Sequence, residues 1–417
     1  MRLDNSQRRK LIPRWRLTVL LLAVTVSSQV SRGADQRTGK QKVEQADWAG
    51  VRGVNFIPSY ASNTYEIWRN YDSQVFDREL RLVKGVGYNS VRLWLNYSAF
   101  EELGSKMVDR VQDALSQCTK HNLKAVVALF DSCGVRQRKD ARWMTAAEAY
   151  DLFANSSRLS AEEKQYLERL FGKYSKGFGK FTLVPVGSDS PIMTLLWQNW
   201  QPTPGNDRLG REWYPKMDAY VRAMLDRLKD HSSVLLWDLM NEPEFASEGP
   251  FTPKLLLKPE MLPIIEGFLK HVHGYVKQRY PEEIVGIGWA SLGNTKKYAD
   301  LADVLTFHVY RDPEGLQREI EQAVAAAKGA GKPILITETL ANWDFGSPDF
   351  GALASDEQQL EHYRKVLPVL VKSPIGWMAW GMVMSQNFDP TTDIFYPNGH
   401  PRPAALLLEK MLKEQRP

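Results

Sequence analysis

"SVLLWDLMNEP", residues 233–243, reads as a single strand and decides the fold. Its apolar residues are consecutive rather than alternating, so both faces of the strand are expected to be covered, as in a parallel sheet. Pro243 cannot donate a ladder hydrogen bond and ends the strand there. "YPKMDAYVRAMLDRLKDH" (214–231) precedes it and "PIIEGFLKHVHGYVKQRY" (263–280) follows, both with apolar residues at helical spacing. A strand set between two amphipathic helices is one unit of a repeating strand–helix chain.

Outward from this unit the same alternation recurs. The strand candidates are "VRGVNFI" (51–57), "YNSVRLWL" (88–95), "LKAVVALFD" (123–131), the opening stretch, "EIVGIGW" (283–289), "ADVLTFHVY" (302–310), "KPILITET" (332–339) and "IGWMAWGM" (375–382), eight in all. Helical periodicity occupies 77–87, 107–122, 214–231, 263–280, 316–331 and 356–373, and a last helix follows in "RPAALLLEKMLKEQ". Eight such units closing on themselves make an α/β fold of the (β/α)8 TIM-barrel type. An open doubly wound sheet would call for a glycine-rich phosphate turn after the first strand. "GVNFIPSYASN" has none.

The spacing breaks once: residues 134–213 form a long insertion after the third strand. Leaving the C-terminal end of a barrel strand, it is expected on the face where barrel active sites are built. Trp197, Trp200 and Trp213 in it are either stacking platforms in a cleft or packing residues that hold the insertion to the barrel. One catalytic-sized domain, 48–415, accounts for the rest of the chain, with a short lead at 34–47.

The formal charge of +5 invites a nucleic-acid partner, but seven basic residues and one acid lie within residues 1–33. That segment carries +6 and leaves the body at −1, so a phosphate backbone has little to bind. The basic start, the apolar run "LTVLLLAVTV" (17–26) and the small residues after it form the pattern of a secretory signal peptide. The expectation is a secreted or periplasmic protein; the alternative is an uncleaved anchor, although ten apolar residues fall short of the about 20 that span a bilayer. Cys118 and Cys133 flank the third strand, at opposite ends of it, too far apart for a disulfide, and are expected as free, buried thiols.

Acids gain functional meaning at the C-terminal ends of barrel strands. In "WDLMNEPE" Glu242 stands at the lip, whereas Asp238 lies about 13 Å deeper along an extended strand and is expected as a buried structural acid. Glu244, beyond the proline, is expected to be solvated or to line a subsite. The second carboxyl is Asp131 or Glu338 in "ITET"; the seventh strand faces the fourth across the barrel, which favours Glu338. Two carboxyls about 5–5.5 Å apart can cleave a glycosidic bond by double displacement. Position alone does not separate this pair from surface acids or ion pairs.

Other residues narrow the choice. Trp380, at the end of the eighth strand, can stack on a pyranose or pack the core. His308 and Tyr310 alternate in "FHVY" and point together into the mouth, where they can hold the nucleophile and ring hydroxyls. Arg92 is a charge inside an apolar barrel and needs a carboxylate, for which Glu338 is the obvious candidate. No metal site is expected: "HVH" (271–273) puts its histidines on different helix faces, and no Cys/His cluster has zinc spacing. No cofactor motif is found either.

Taken together, Arg92 in "VRLWL", Asn241-Glu242-Pro243, "HVY" (308–310), Glu338 in "ITET" and Trp380 in "GWMAWG" resemble the clan A glycoside hydrolases, most of all glycoside hydrolase family 5, the cellulase and mannanase family. The resemblance implies Glu242 as acid/base, Glu338 as nucleophile, Asn241 on the sugar 2-hydroxyl, and Arg92, His308, Tyr310 and Trp380 around them. It implies an enzyme of the endo-β-1,4-glucanase or mannanase kind acting on an oligo- or polysaccharide partner, with endo and exo attack both left open by the sequence, and a monomer is expected. "FDSCG" departs from the family, many members of which carry a histidine shortly after the third strand. A catalytically silent carbohydrate-binding barrel and a transglycosylase are the competing readings.

Overall fold

The computed structural model of the chain describes residues 38–61, 63–133, 203–245, 261–341, 355–381, 393–396 and 398–414, together with a small antiparallel hairpin of Arg142–Met144 and Phe181–Leu183. Eight strands close a parallel barrel: β1 (Arg52–Asn55), β2 (Ser90–Trp94), β3 (Lys124–Ala128), β4 (Val234–Asn241), β5 (Val285–Trp289), β6 (Leu305–His308), β7 (Ile334–Thr339) and β8 (Gly376–Ala379). Each falls within one of the eight expected runs. β1 pairs with β8 on one side and β2 on the other, which closes the circle.

Eleven α-helices surround it among the described residues: α1 (Gly39–Gln45), α2 (Thr64–Arg69), α3 (Ser73–Val86), α4 (Tyr97–Leu103), α5 (Ser105–Lys120), α6 (Tyr214–Leu228), α7 (Leu262–Arg279), α8 (Leu292–Lys297), α9 (Pro313–Ala330), α10 (Asp356–Val371) and α11 (Pro403–Glu414). Their ends follow local chemistry. Asp72 accepts the free Gln74 and Val75 N–H groups before α3, and Gly87, at φ 111°, takes the left-handed conformation that stops it. Asp312 and Pro313 open α9 in the same spirit, and Gly331 at φ 63° closes it. α1, α2, α4 and α8 are six or seven residues long and too short to show a period in sequence.

The barrel interior is layered. Its lower part is apolar, with Val126, Leu236, Val304, Leu335 and Met378 packed together and Trp48 and Val51 joining them. Trp48 donates its indole N–H to the Val43 carbonyl at 2.8 Å, tying α1 to this cluster. Nearer the C-terminal strand ends the interior turns polar, with Asn55, Arg92 and Asp238 all buried. A larger apolar core fills the space between sheet and helices.

Strand register slips at the ends that matter: between Asp238 and Asn241 against β5, and between Phe307 and His308 against β7. Such irregularities re-aim side chains at a barrel rim. Thr203, where the described chain resumes within the insertion, exchanges two backbone hydrogen bonds with Asp131, of 2.7 and 2.8 Å. The returning end of the insertion is therefore fastened just past β3, on the face expected for it.

The expected signal segment, 1–33, Trp197, Trp200 and the helix-like part of the insertion lie outside the described residues. Among the described residues no helix is long and apolar enough to cross a membrane. Cys118 and Cys133 are both free and buried, as expected.

Candidate active site

β4 delivers the first carboxyl by a strained route. Asp238 pairs with Gly286 and Asn241 with Gly288, so the strand carries one residue more than its neighbour between those points. Glu242 then sits at φ 43°, a left-handed conformation uncommon for a residue with a side chain. Its N–H is held by the Gly288 carbonyl at 2.7 Å, and its own carbonyl accepts from Phe245 at 2.9 Å. Pro243 begins a 3₁₀ turn, so the strand ends where the sequence requires.

Arg92 organises the floor of the site. All five of its N–H groups are used: Nε (3.1 Å) and Nη2 (2.5 Å) on Asp238, Nη2 on Asn241 (2.7 Å), Nη1 on Glu338 (2.6 Å) and Nη1 on Asn55 (3.2 Å). Glu338 is thus one of two carboxylate partners rather than the sole one expected, because a fully buried guanidinium needs its whole fork satisfied. Asp238 is the buried structural acid, and its other oxygen accepts from Gly288 N–H at 2.9 Å. Gly288 must be glycine: a Cβ there would lie 2.7 Å from Arg92 Nη2 and 2.9 Å from Asp238 Oδ2. The guanidinium also lies 4.3 Å from the Trp94 ring centroid, and Trp94 packs edge-on against Trp380.

The two glutamates meet above this floor. Carboxylate oxygens of Glu242 and Glu338 and a ring nitrogen of His308 all lie within 4.8 Å of one another. Glu338 accepts from Arg92 and, at 2.6 Å, from the Tyr310 hydroxyl. Glu242 faces no cation as close: His308 Nδ1 is 2.7 Å from its Oε1, and the Cys133 thiol donates to its Oε2 at 2.8 Å. His308 is therefore nearer to Glu242 than to Glu338, 3.4 Å away, and does not chiefly hold the nucleophile candidate as expected.

These surroundings separate the protonation states. Burial raises both carboxyls, Glu242 well above the usual glutamate value, with the Glu338 charge as the next cause. Glu338 rises only to about 7, because Arg92 and Tyr310 oppose burial. Glu338 is therefore the more readily ionised of the two, and Glu242 the one that holds its proton longer. Burial and then the Arg92 charge push His308 well below its usual value, so the imidazole is neutral.

A cation is poorly served here. Glu242, His308 and Glu338 form a donor cluster that sequence spacing did not suggest, yet Arg92 already neutralises Glu338 at 2.6 Å and would repel a metal ion. Two carboxyls this close, one ionised and one protonated, can instead carry out double displacement at an acetal carbon; separations of about 6.5–9.5 Å belong to single displacement with inversion.

All seven residues singled out in the sequence converge on this place, Trp380 at its border. Two others were missed as members of it, and a third was weighed for a different part. Asn55 donates to the Thr337 and Ala379 carbonyls and orients toward Arg92. Asp131, first weighed as a carboxyl of the pair, instead accepts from Asn241 Nδ2 at 2.9 Å. Cys133, known only as a buried thiol, touches Glu242. Glu244, expected to be solvated or to line a subsite, is half-buried, accepts from Ala290 N–H and Asn294 Nδ2, and so fastens the start of α8. Trp213 takes the packing alternative, its ring lying against the core and between Arg208 and Lys216.

No protein-family model matches the chain, and no curated protein matches it in sequence. Its fold is that of known solved structures. A GH5_18 protein from Streptomyces cattleya, in complex with GlcNAc, is 14% identical with a TM-score of 0.56, the match covering 88% of this chain and 81% of that one. A GH5_18 variant from Bifidobacterium longum subsp. longum, in complex with Manb1-4GlcNAc, is 15% identical with a TM-score of 0.53, covering 88% and 78%. The exo-beta-1,4-mannosidase Op5Man5 from Opitutaceae bacterium strain TAV5 is 16% identical with a TM-score of 0.52, covering 88% and 59%. At such identities the likeness is one of fold, a (β/α)8 barrel of the kind used by glycoside hydrolase family 5.

Proposed function

We propose that the protein is an exported retaining β-glycosidase with Glu338 as nucleophile and Glu242 as acid/base. The observation that carries this reading is the pair itself: oxygens within 4.8 Å, one carboxyl bound by a cation and a phenol, the other by a thiol and an imidazole. In the first step Glu338 attacks the anomeric carbon as Glu242 protonates the departing glycosidic oxygen. In the second, ionised Glu242 takes a proton from water, which displaces Glu338 and restores the original configuration.

Asn241 is oriented for its part by its neighbours. Its amide oxygen is taken by Arg92 at 2.7 Å, so the NH2 group, which gives one N–H to Asp131 at 2.9 Å and reaches Cys133 Sγ only at 3.6 Å, is the end able to donate to a sugar 2-hydroxyl. Arg92 and Tyr310 keep Glu338 ionised, and Trp380 offers an aromatic face beside them. The substrates proposed are β-1,4-linked glucan or mannan chains; mannosyl linkages are to be tried first, since similar folds include a β-1,4-mannosidase and a protein holding Manb1-4GlcNAc. The apolar run at 17–26 supports export, and the enzyme is proposed to act as a monomer.

The test is stereochemical. Proton NMR of the first sugar released from an aryl β-glycoside should show the β-anomer, followed by slow mutarotation. An α-anomer appearing first would reject double displacement, and product sizing on oligosaccharides would tell endo from exo attack and hydrolysis from transfer. A protein that binds glycans in calorimetry and hydrolyses none would be the silent barrel.

A further inference from the structure

The turn after β3 presents Cys133 to the acid/base carboxyl. Asp131 Oδ1 accepts the Cys133 N–H at 2.9 Å, which folds the turn back, and also holds Asn241 Nδ2 at 2.9 Å. The thiol that results is 5% exposed, with Sγ 2.8 Å from Glu242 Oε2 and 3.6 Å from Asn241 Nδ2. The opposite oxygen, Oε1, lies 2.7 Å from His308 Nδ1. The Glu242 carboxyl is thus gripped on both oxygens by residues of two different elements, and its plane cannot turn without losing one of them.

We propose that Cys133 is a positioning residue for Glu242: its S–H donates to Oε2, fixes the rotation of the carboxyl and stabilises the carboxylate left after the proton has been given away. The proposal rests on the reading of Glu242 as acid/base. Burial, followed by the charges of Glu242 and Asp131, raises the thiol well above its usual range, so it stays a donor rather than a thiolate. A donor to the ionised form lowers a carboxyl's proton affinity. Around Glu242 it works against burial, the Glu338 charge from β7, Glu244 in the turn that follows β4 and Asp131 past β3, with neutral His308 on the far side. The thiol leaves Glu242 acidic enough to give its proton to an alkoxide and basic enough to retrieve one from water.

The test pairs kinetics with a signal independent of turnover. Cys133→Ala should move the alkaline limb of the kcat/KM profile to higher pH, and Cys133→Ser, which keeps a donor, should return it. On an activated aryl glycoside, whose leaving group needs no proton, kcat/KM of Cys133→Ala should stay within about twofold of wild type while kcat and KM fall together; on an alkyl or oligosaccharide glycoside kcat/KM should drop roughly tenfold. A residue that merely packed would move neither the limb nor this leaving-group split.

Infrared spectroscopy supplies the second arm. In a Cys118→Ala background the remaining S–H stretching band should sit at a hydrogen-bonded frequency, shift as Glu242 titrates, and lose that pH dependence in Glu242→Gln. A band at the free-thiol position, or one indifferent to pH, would overturn the proposal, as would an unmoved alkaline limb in Cys133→Ala. If the wild-type protein hydrolyses no glycoside, the glycosidase reading and the kinetic role built on it both fail. The band still reports whether the thiol binds the carboxyl.

Discussion

The ends of β4 and β7 present the same side chain to the same cleft and surround it differently. Glu338 lies within β7, whose register also slips just before it, and meets Arg92 and Tyr310, two strong donors, one of them a cation. Glu242 follows a bulge, stands at φ 43° and meets a thiol and a neutral imidazole. Both are buried, so burial raises both; the difference between them comes from neighbours on other strands. Chemical role in such a pair belongs to the surroundings, and substitutions can test each side in turn.

The largest effect is expected at Glu338. Glu338→Ala should lose on the order of 10⁵-fold in kcat, as removal of a covalent nucleophile does. Added azide should restore part of the rate and yield the α-glycosyl azide, because the anion enters from the vacated side. Glu242→Ala should lose about 10²–10⁴-fold on substrates with poor leaving groups and far less on activated ones. With azide it should give the β-glycosyl azide. If the two variants returned the opposite anomers, the assignment of the two glutamates would have to be exchanged.

Tyr310→Phe leaves Arg92 as the one short hydrogen-bond donor to Glu338 among the described residues, with His308 3.4 Å away. A hydrogen bond to a charged group contributes about 1.5–3 kcal/mol, so kcat/KM should fall roughly 10- to 100-fold. The acid limb of the pH profile should move up, since the phenol favours the ionised form. An unmoved limb would mean that Arg92 alone sets the state of Glu338.

The smallest effect is on stability and has the opposite sign to activity. Glu242 is raised in the folded protein, so the unfolded chain releases its proton first, and stability is lost as pH rises from the ordinary glutamate range toward the folded value. Glu242→Gln removes that loss. Its melting temperature should exceed that of wild type by about 1–2 °C, roughly what 1 kcal/mol moves a domain of this size, with a gap that widens as pH rises. A gap independent of pH would show that the carboxyl is not held protonated by the fold.

Much of this was legible because parallel barrel strands are apolar throughout and carry their acids at one end. All eight strand runs, Glu242, Glu338 and the buried charge of Arg92 follow from that pattern. The hairpin at 142–144 and 181–183 was not, since strands of three residues leave no period. Asn55, Asp131 and Cys133 were not, because their roles exist only across the barrel: Cys133 is 109 residues from the glutamate it touches. Glu244 looked like a loop acid, and only the fold brings the start of α8 against it. His308 was placed in the right cleft, but that it stands nearer Glu242, at 2.7 Å, than Glu338, at 3.4 Å, is visible only in the folded barrel.

The most direct test is covalent. A 2-deoxy-2-fluoro analogue of whichever activated β-glycoside proves to be a substrate should inactivate the protein with time, and peptide mass spectrometry should find one fluoroglycosyl group, on Glu338. Label on Glu242, or turnover of the parent glycoside with no trapped intermediate on either glutamate, would contradict the assignment of Glu338 as nucleophile.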